Sequence, residues 1–234
     1  MRKSFAIFGL VAFAAIGCST ETVSSENIKT GGIAATIEVI SDDPTHTNVW
    51  ATLRVGGDES NTYVVLDNGD TLKASSGTES KNMSAESEGK CLATFGSGQA
   101  DQEFKVMLDR ADDTDANNNV GTLPAPFSIT LPDANKSRAS DDLTITWDAS
   151  GGSDKMTIEV SGDCIFDYDE TVADTGTYTI PKGELKSTGG DKPTTCTVDV
   201  RMERTRAGST DSALDNESSM KLIQRRTVEY VSAP

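Results

Sequence analysis

The chain has 234 residues, with 21 Lys and Arg against 37 Asp and Glu, a net charge of −16. Such a surface repels phosphate backbones, which argues against nucleic acid as a partner, and it also works against lying on an anionic bilayer. The length suits one large or two ordinary domains. Short Val/Ile/Thr-rich runs between Asn, Asp, Gly and Ser clusters point to an all-β protein.

The first segment has three parts in order. Arg2 and Lys3 give a positive start, Phe5 to Ile16 is almost unbroken apolar sequence, and Gly17 and Cys18 end it. This is the layout of a secretory signal peptide. The apolar run is shorter than the roughly 20 residues that a spanning helix needs. Ala15-Ile16-Gly17-Cys18 resembles the lipobox of bacterial lipoproteins, with Ala15 where Leu or Val is commoner. The resemblance implies that residues 1–17 are a cleaved signal peptide. It also implies that Cys18 carries the lipid and begins the mature chain, and that the protein is held in the cell envelope by its acyl chains. In Gram-negative members a residue other than Asp after the Cys favours the outer membrane, and Ser19 stands there. One acyl chain holds only marginally, so a stable anchor takes two or three.

Residues 18–32 are polar and aperiodic and read as the lipidated Cys and a tether. Residues 33–126 read as a first β-sandwich domain. Its strand candidates are 33–40, 48–55, 62–66, 71–74, 91–95 and 104–110. Val49, Ala51, Leu53 and Val55 share one face, as do Phe104, Val106 and Leu108. Asp67-Asn68-Gly69-Asp70 predicts a hairpin turn, because both central residues tolerate positive φ. Residues 75–89 are Gly-, Ser- and Glu-rich and read as a loop.

Leu123-Pro124-Ala125-Pro126-Phe127 reads as a stiff connector, since proline is excluded from central strands. Residues 127–234 then read as a second β-sandwich domain, the strands taking their inward faces from Leu143, Ile145 and Trp147, from Met156, Ile158 and Val160, and from Val198, Val200 and Met202. This half resembles immunoglobulin and fibronectin type III sandwiches. Asp174-Thr175-Gly176-Thr177-Tyr178 is similar to the immunoglobulin tyrosine-corner motif, although Ile180 stands where that family has Cys. A fibronectin-like alignment places Leu185 under a loop and opens the next strand at Cys196. The resemblance implies a fold, not a function. The whole is expected to be two antiparallel β-sandwich domains in tandem.

With Cys18 committed to lipid, Cys91, Cys164 and Cys196 remain, in a compartment that permits disulfides. Cys164 shares parity with Met156, Ile158 and Val160, and Cys196 with Val198, Val200 and Met202, so a Cys164–Cys196 bridge is predicted. Cys91 reads as a buried free thiol, with an intermolecular or reactive role as the alternative.

Catalytic chemistry finds little to stand on. His46 is the single histidine and sits in the turn-like Asp42-Asp43-Pro44-Thr45 context. It cannot build the usual zinc site, and no Gly-x-Ser-x-Gly elbow accompanies it. Ser87-Glu88-Gly89-Lys90 and Ser218-Ser219-Met220-Lys221 match Ser-x-x-Lys, but the Lys-Thr-Gly at 29–31 precedes them and Ser-Asp-Asn is missing. Non-enzymatic function is expected, with carboxylate-based hydrolysis as the one enzymatic route that could be staffed. Asp109, Asp113, Asp115 and Asn117, in the run from Asp109 to Asn119, offer calcium-loop oxygens. Asn118 and Pro124 stand where a calcium loop wants Gly and Glu. Arg201, Arg204, Arg206, Lys221, Arg225 and Arg226 crowd the C-terminal end and read as cross-strand charge pairs. The sharper alternative there is a docking patch for an acidic sugar or protein. The expected role is a lipid-anchored envelope protein presenting β-sandwiches to an envelope protein or polysaccharide. The alternative is a calcium- or polysaccharide-binding module built on the Asp109–Asn119 loop.

Overall fold

The computed structural model describes residues 21–190 and 192–234. Cys18 and the signal-like segment lie outside them. The described chain is almost entirely β. In order, the strands are β1 (Glu21–Ser24), β2 (Ile33–Asp43), β3 (His46–Val55), β4 (Thr62–Val65), β5 (Thr71–Ser76), β6 (Glu79–Asn82), β7 (Ser84–Ser87), β8 (Lys90–Phe95), β9 (Glu103–Asp109) and β10 (Ala116–Thr122). After the proline connector come β11 (Ile129–Thr130), β12 (Lys136–Ser137), β13 (Leu143–Trp147), β14 (Lys155–Ser161), β15 (Tyr168–Ala173), β16 (Thr177–Ile180), β17 (Cys196–Ala207) and β18 (Ser219–Ala233).

Alternation dictates the layers. Val49, Ala51 and Leu53 on β3 and Phe104, Val106 and Leu108 on β9 are buried in one core. Ile145 and Trp147 on β13, Met156, Ile158 and Val160 on β14 and Val198, Val200 and Met202 on β17 are buried in a second. The second module packs the three-stranded sheet β11-β13-β16 on β15-β14-β17-β18, a seven-strand sandwich. The first packs β10-β9-β5-β6 against β2, β3, β4 and β8.

The two modules share one sheet. β18 runs as a single strand from Ser219 to Ala233, with neither Gly nor Pro to break it. One edge pairs antiparallel with β17, from Lys221 opposite Ala207 to Ser232 opposite Cys196. The other edge pairs parallel with β2, from Ser219 opposite Thr36 to Gln224 opposite Ser41. Met220 and Leu222 of β18 therefore lie in the first core, while Tyr230 lies in the second.

Several segments differ from the sequence reading. Residues 21–32, expected as tether, are folded. β1 pairs parallel with β4, from Glu21 opposite Thr62 to Ser24 opposite Val65, and two 3-10 turns follow it. Residues 208–224, expected in the second domain, pack on the first core through Leu214, Met220 and Leu222. The Asp67–Asp70 turn does have positive φ at Asn68 and Gly69, 54° and 88°. Its flanking strands do not pair with each other, however: β4 belongs to the large sheet and β5 to the four-stranded one. The Ser25 hydroxyl accepts from the Asp67 amide at 3.0 Å, and this fixes the turn as a corner between sheets. Residues 75–89 contain β6 and β7. These strands have exposed side chains and therefore carry no apolar alternation to betray them.

Candidate functional site

Among the described residues the candidate groups lie at the Asp109–Asn119 run, at the module junction and at the cysteines.

In the first, the three carboxylates of the predicted calcium set each serve their own partner, while the Asn117 side-chain oxygen is buried without one. Asp109 accepts from Lys73 Nζ at 2.7 Å. Asp113 accepts the Thr30 amide at 2.8 Å, and Asp115 accepts the Arg110 amide at 2.7 Å. Asn117 lies on β10 rather than in a loop. The four do not converge, and among the described residues no group of three or more His, Cys, Asp or Glu side chains is placed to hold a metal ion. The register of β9 and β10 shifts between Ala116 and Asn119. There the buried Asn119 amide donates to the carbonyls of Val106 and Ala116, replacing ladder bonds that the shift removes. The centre of this region is Arg110. Its side chain and that of Asp70 are each 3% exposed and bond at 2.8 Å. The remaining guanidinium nitrogens donate to Thr30 Oγ1 and to the carbonyls of Ser25 and Ile28. Arg110 thus straps residues 25–30 onto the first module. Burial pushes the Asp70 carboxyl up, but donors from Ser25, Ala111 and Arg110 outweigh it and hold the group below its ordinary range.

The junction is built by the arginines of β17 and β18. Arg204 has the parity of Val198, Val200 and Met202, so the strand aims it into the core, and it is fully buried. It donates to Asp174 at 3.0 Å, to the Asp148 carbonyl at 2.5 Å and to the Ala125 carbonyl of the connector at 2.6 Å. Asp174 also takes the Trp147 indole N–H at 2.7 Å and the Ser150 amide at 3.0 Å. Burial raises the Asp174 carboxyl, and the donors from Ser150, Trp147 and Arg204 more than offset it, bringing it down to about 2. Arg206 grips Asp154 of the second module with two nitrogens and donates to Asp101, Thr122 and Leu123 of the first. Arg226 donates to the Ser41 carbonyl on β2, and the buried Gln224 amide donates to the Gly98 carbonyl. Arg204 and Arg226 both lie over the ring of Phe127, at 5.0 and 5.8 Å.

The arginine-rich end therefore divides. Cross-strand pairing accounts for Arg225 with Glu203 at 2.7 Å and for Arg201 with Glu159 on the neighbouring strand. Arg204, Arg206 and Arg226 instead rivet the modules, which the sequence reading missed. The parity that places Val198, Val200 and Met202 inward already placed Arg204 inward too. The tyrosine-corner resemblance is also corrected: Tyr178 is on β16, its hydroxyl 3.0 Å from that of Tyr168, and Asp174 serves Arg204.

Cys164 and Cys196 form a disulfide with Cα atoms 5.9 Å apart. Cys91 is a buried free thiol beside an apolar cavity of 470 Å³ lined by Val64, Leu72 and Met83. Burial, with a smaller push from Glu86, raises its titration, so little reactive thiolate forms near neutral pH. His46 is exposed at the start of β3. Among the described residues every carboxylate with a displaced titration is displaced downward: Asp43, Asp70, Asp109, Asp113, Asp174 and Asp211. Fixed anions held by donors suit structural bonding, whereas a general acid needs the opposite shift.

No protein-family model matches the chain, and no curated protein matches it in sequence. Among solved structures, it is similar to the Yersinia pseudotuberculosis adhesin InvE at 14% identity and a TM-score of 0.25, covering 86% of this chain and 60% of the adhesin. It is also similar to fibronectin domains FN1–FN3 of chicken CNTN1, at 13% identity and a TM-score of 0.22, over 88% of this chain and 67% of that one. A tetra-tandem repeat from the extending region of a large adhesion protein gives 12% identity and a TM-score of 0.26, over 85% and 49%. Among the described residues no helix is long and apolar enough to cross a membrane.

Proposed function

We propose that this chain is a lipid-anchored envelope protein that holds a stiff pair of β-modules close to the membrane for contact with an envelope protein or polysaccharide. The supporting observation is the spacing between the lipobox-like Cys18 and the fold. β1 begins at Glu21 and is already paired with β4, so two residues, Ser19 and Thr20, separate the acylated Cys18 from the first module. The three Cα-to-Cα steps from Cys18 to Glu21 reach at most about 10 Å. The body is thereby held at the headgroups rather than trailing on a long leash. The shared sheet through β18 and the rivets at Arg204, Arg206 and Arg226 suit this role, because they transmit the orientation of the first module to the second.

The anchor is tested by fractionating cells that express the native chain or Cys18→Ser. The native chain is expected in the membrane fraction and the variant in the soluble one. Membrane retention of the variant would overturn the reading. Surface biotinylation of intact cells then reports the leaflet side.

A further inference from the structure

The outward face of the first module's large sheet carries an arrangement that neither core nor junction uses. Alternation on β3 sends Trp50, Thr52 and Arg54 outward, opposite the buried Val49, Ala51 and Leu53. Lys90 on β8 pairs in register with Thr52, and Tyr63 on β4 pairs with Arg54. Lys90 Nζ lies 4.5 Å from the centre of the Trp50 ring, and the Arg54 guanidinium lies 5.1 Å from that of Tyr63. Elsewhere in this acidic chain cations such as Lys73, Arg201, Arg206 and Arg225 meet carboxylates. Among the described residues Arg54 and Lys90 meet aromatic rings instead, and their charge is left for something outside the chain.

The face carries a shallow, open hollow. Thr52, Arg54, Tyr63, Ser87, Glu88 and Lys90 line a hollow of 560 Å³. Its wall is the β7–β8 turn, and Gly89 sets the wall in place. Gly89 has φ +61°, and a Cβ there would stand 2.8 Å from both the Leu53 carbonyl oxygen and Tyr63 Cβ. Its carbonyl accepts the Leu53 amide at 2.8 Å. Only glycine lets the turn close against Tyr63.

We infer that this face binds an acidic glycan, a chain of uronic-acid-type sugars, with Trp50 and Tyr63 as stacking platforms and Arg54 and Lys90 as carboxylate partners. An aromatic ring offers a flat apolar surface to the C–H face of a sugar ring. Arg54 supplies a planar fork that matches a carboxylate, and Lys90 adds a point charge. Thr52, Ser87 and Glu88 supply donors and acceptors for hydroxyls. Trp50 and Arg54 are four residues apart on one strand, about 13 Å, which suits an oligomer. An anionic headgroup layer would meet the exposed carboxylate of Glu88, which lines the hollow. The surface is separate from the Asp109–Asn119 run, and its binding does not depend on the lipid.

The test uses the full chain in detergent micelles and follows tryptophan fluorescence. Trp147, the second of the two tryptophans, is buried and bonded to Asp174, so a sugar-induced change reports Trp50. Titration with a galacturonic acid oligomer is expected to give a saturable change. A neutral malto-oligosaccharide is expected to bind at least about tenfold more weakly, because it lacks the charge-assisted bonds. The double variant Arg54→Gln/Lys90→Gln is expected to lose about tenfold or more for the acidic oligomer, and Tyr63→Ala to weaken both sugars, each with an unchanged near-ultraviolet spectrum from the folded core. The inference is overturned by an absence of saturation at millimolar oligomer, by equal binding of the neutral sugar, or by unchanged affinity in the double variant. It is also overturned if phosphatidylglycerol vesicles bind through Arg54 and Lys90 while the sugar does not, since the face would then be a membrane contact.

Discussion

The two modules reach closure by different routes. The second draws its core from residues 127–230 alone: Phe127, Ile145, Met156, Ile180, Val200 and Tyr230 all come from one continuous stretch. A disulfide joins the two ends of its middle, at Cys164 and Cys196. The first is closed by segments far away in sequence. Leu214, Met220 and Leu222 arrive from the end of the chain, and residues 25–30 are strapped on by Arg110. The difference teaches that this is not a pair of independent beads. The second module folds around itself and lends β18 to the first.

The largest expected effect breaks that dependence directly. A chain ending after Pro126 lacks the strand that pairs with β2 and three residues of the first core. β2 would then be left with an unpaired apolar edge, and the fragment is expected to show no cooperative melting by circular dichroism. A sharp transition in it would mean that the first module closes by itself. Next in size is Arg204→Met, which leaves Asp174 buried without its cation. Losing one partner of a buried pair costs about 3–5 kcal/mol. Arg204 also holds the connector, so the loss should appear in denaturant melts of both modules together rather than the second alone. A melt in which the first module is unaffected would separate the two.

How much of this was legible depends on how local each feature is. The inward faces at Val49, Phe104, Met156 and Val198 were readable, because alternation is written within each strand. So was the partnership of Cys164 with Cys196, which needs only parity and a compartment. Residues 21–32 were misread because Arg110, the group that orders them, lies some eighty positions on. β6 and β7 were invisible because edge strands with exposed side chains need no apolar pattern. The sharing of β18 could not be read either: a long unbroken strand announces its length but not which second neighbour will take its free edge. Arg204 is the one rivet that could have been found, since an arginine at a core-facing position needs a buried anion.

Removing the disulfide sharpens the comparison further. The double variant Cys164→Ala/Cys196→Ala frees a loop closed at a sequence separation of 32. On the chain-entropy model this costs about 3–4 kcal/mol, all of it within the second module. Because the first module borrows β18, its signals are expected to melt at the same lowered temperature. Two separated transitions in calorimetry would show instead that β18 stays docked on β2 after the second core is lost.

The smallest effect concerns acid. Asp174 is held at about 2 in the folded chain, against about 3.9 in an unfolded one. A depressed carboxylate contributes stability that is fully present above the unfolded value and is lost as pH falls through the folded one. The contribution is about 2.5 kcal/mol, withdrawn between roughly pH 5 and pH 1. Asp70 is lowered too, but in the first module, and so adds to the same acid slope from the other side of the junction. Denaturant melts from pH 5 to pH 2 should therefore fall steeply in the native chain. They should fall by about 2 kcal/mol less in Asp174→Asn, which begins less stable because Arg204 has lost its anion. Equal slopes in the two chains would mean that Asp174 is not the group whose protonation loosens the junction.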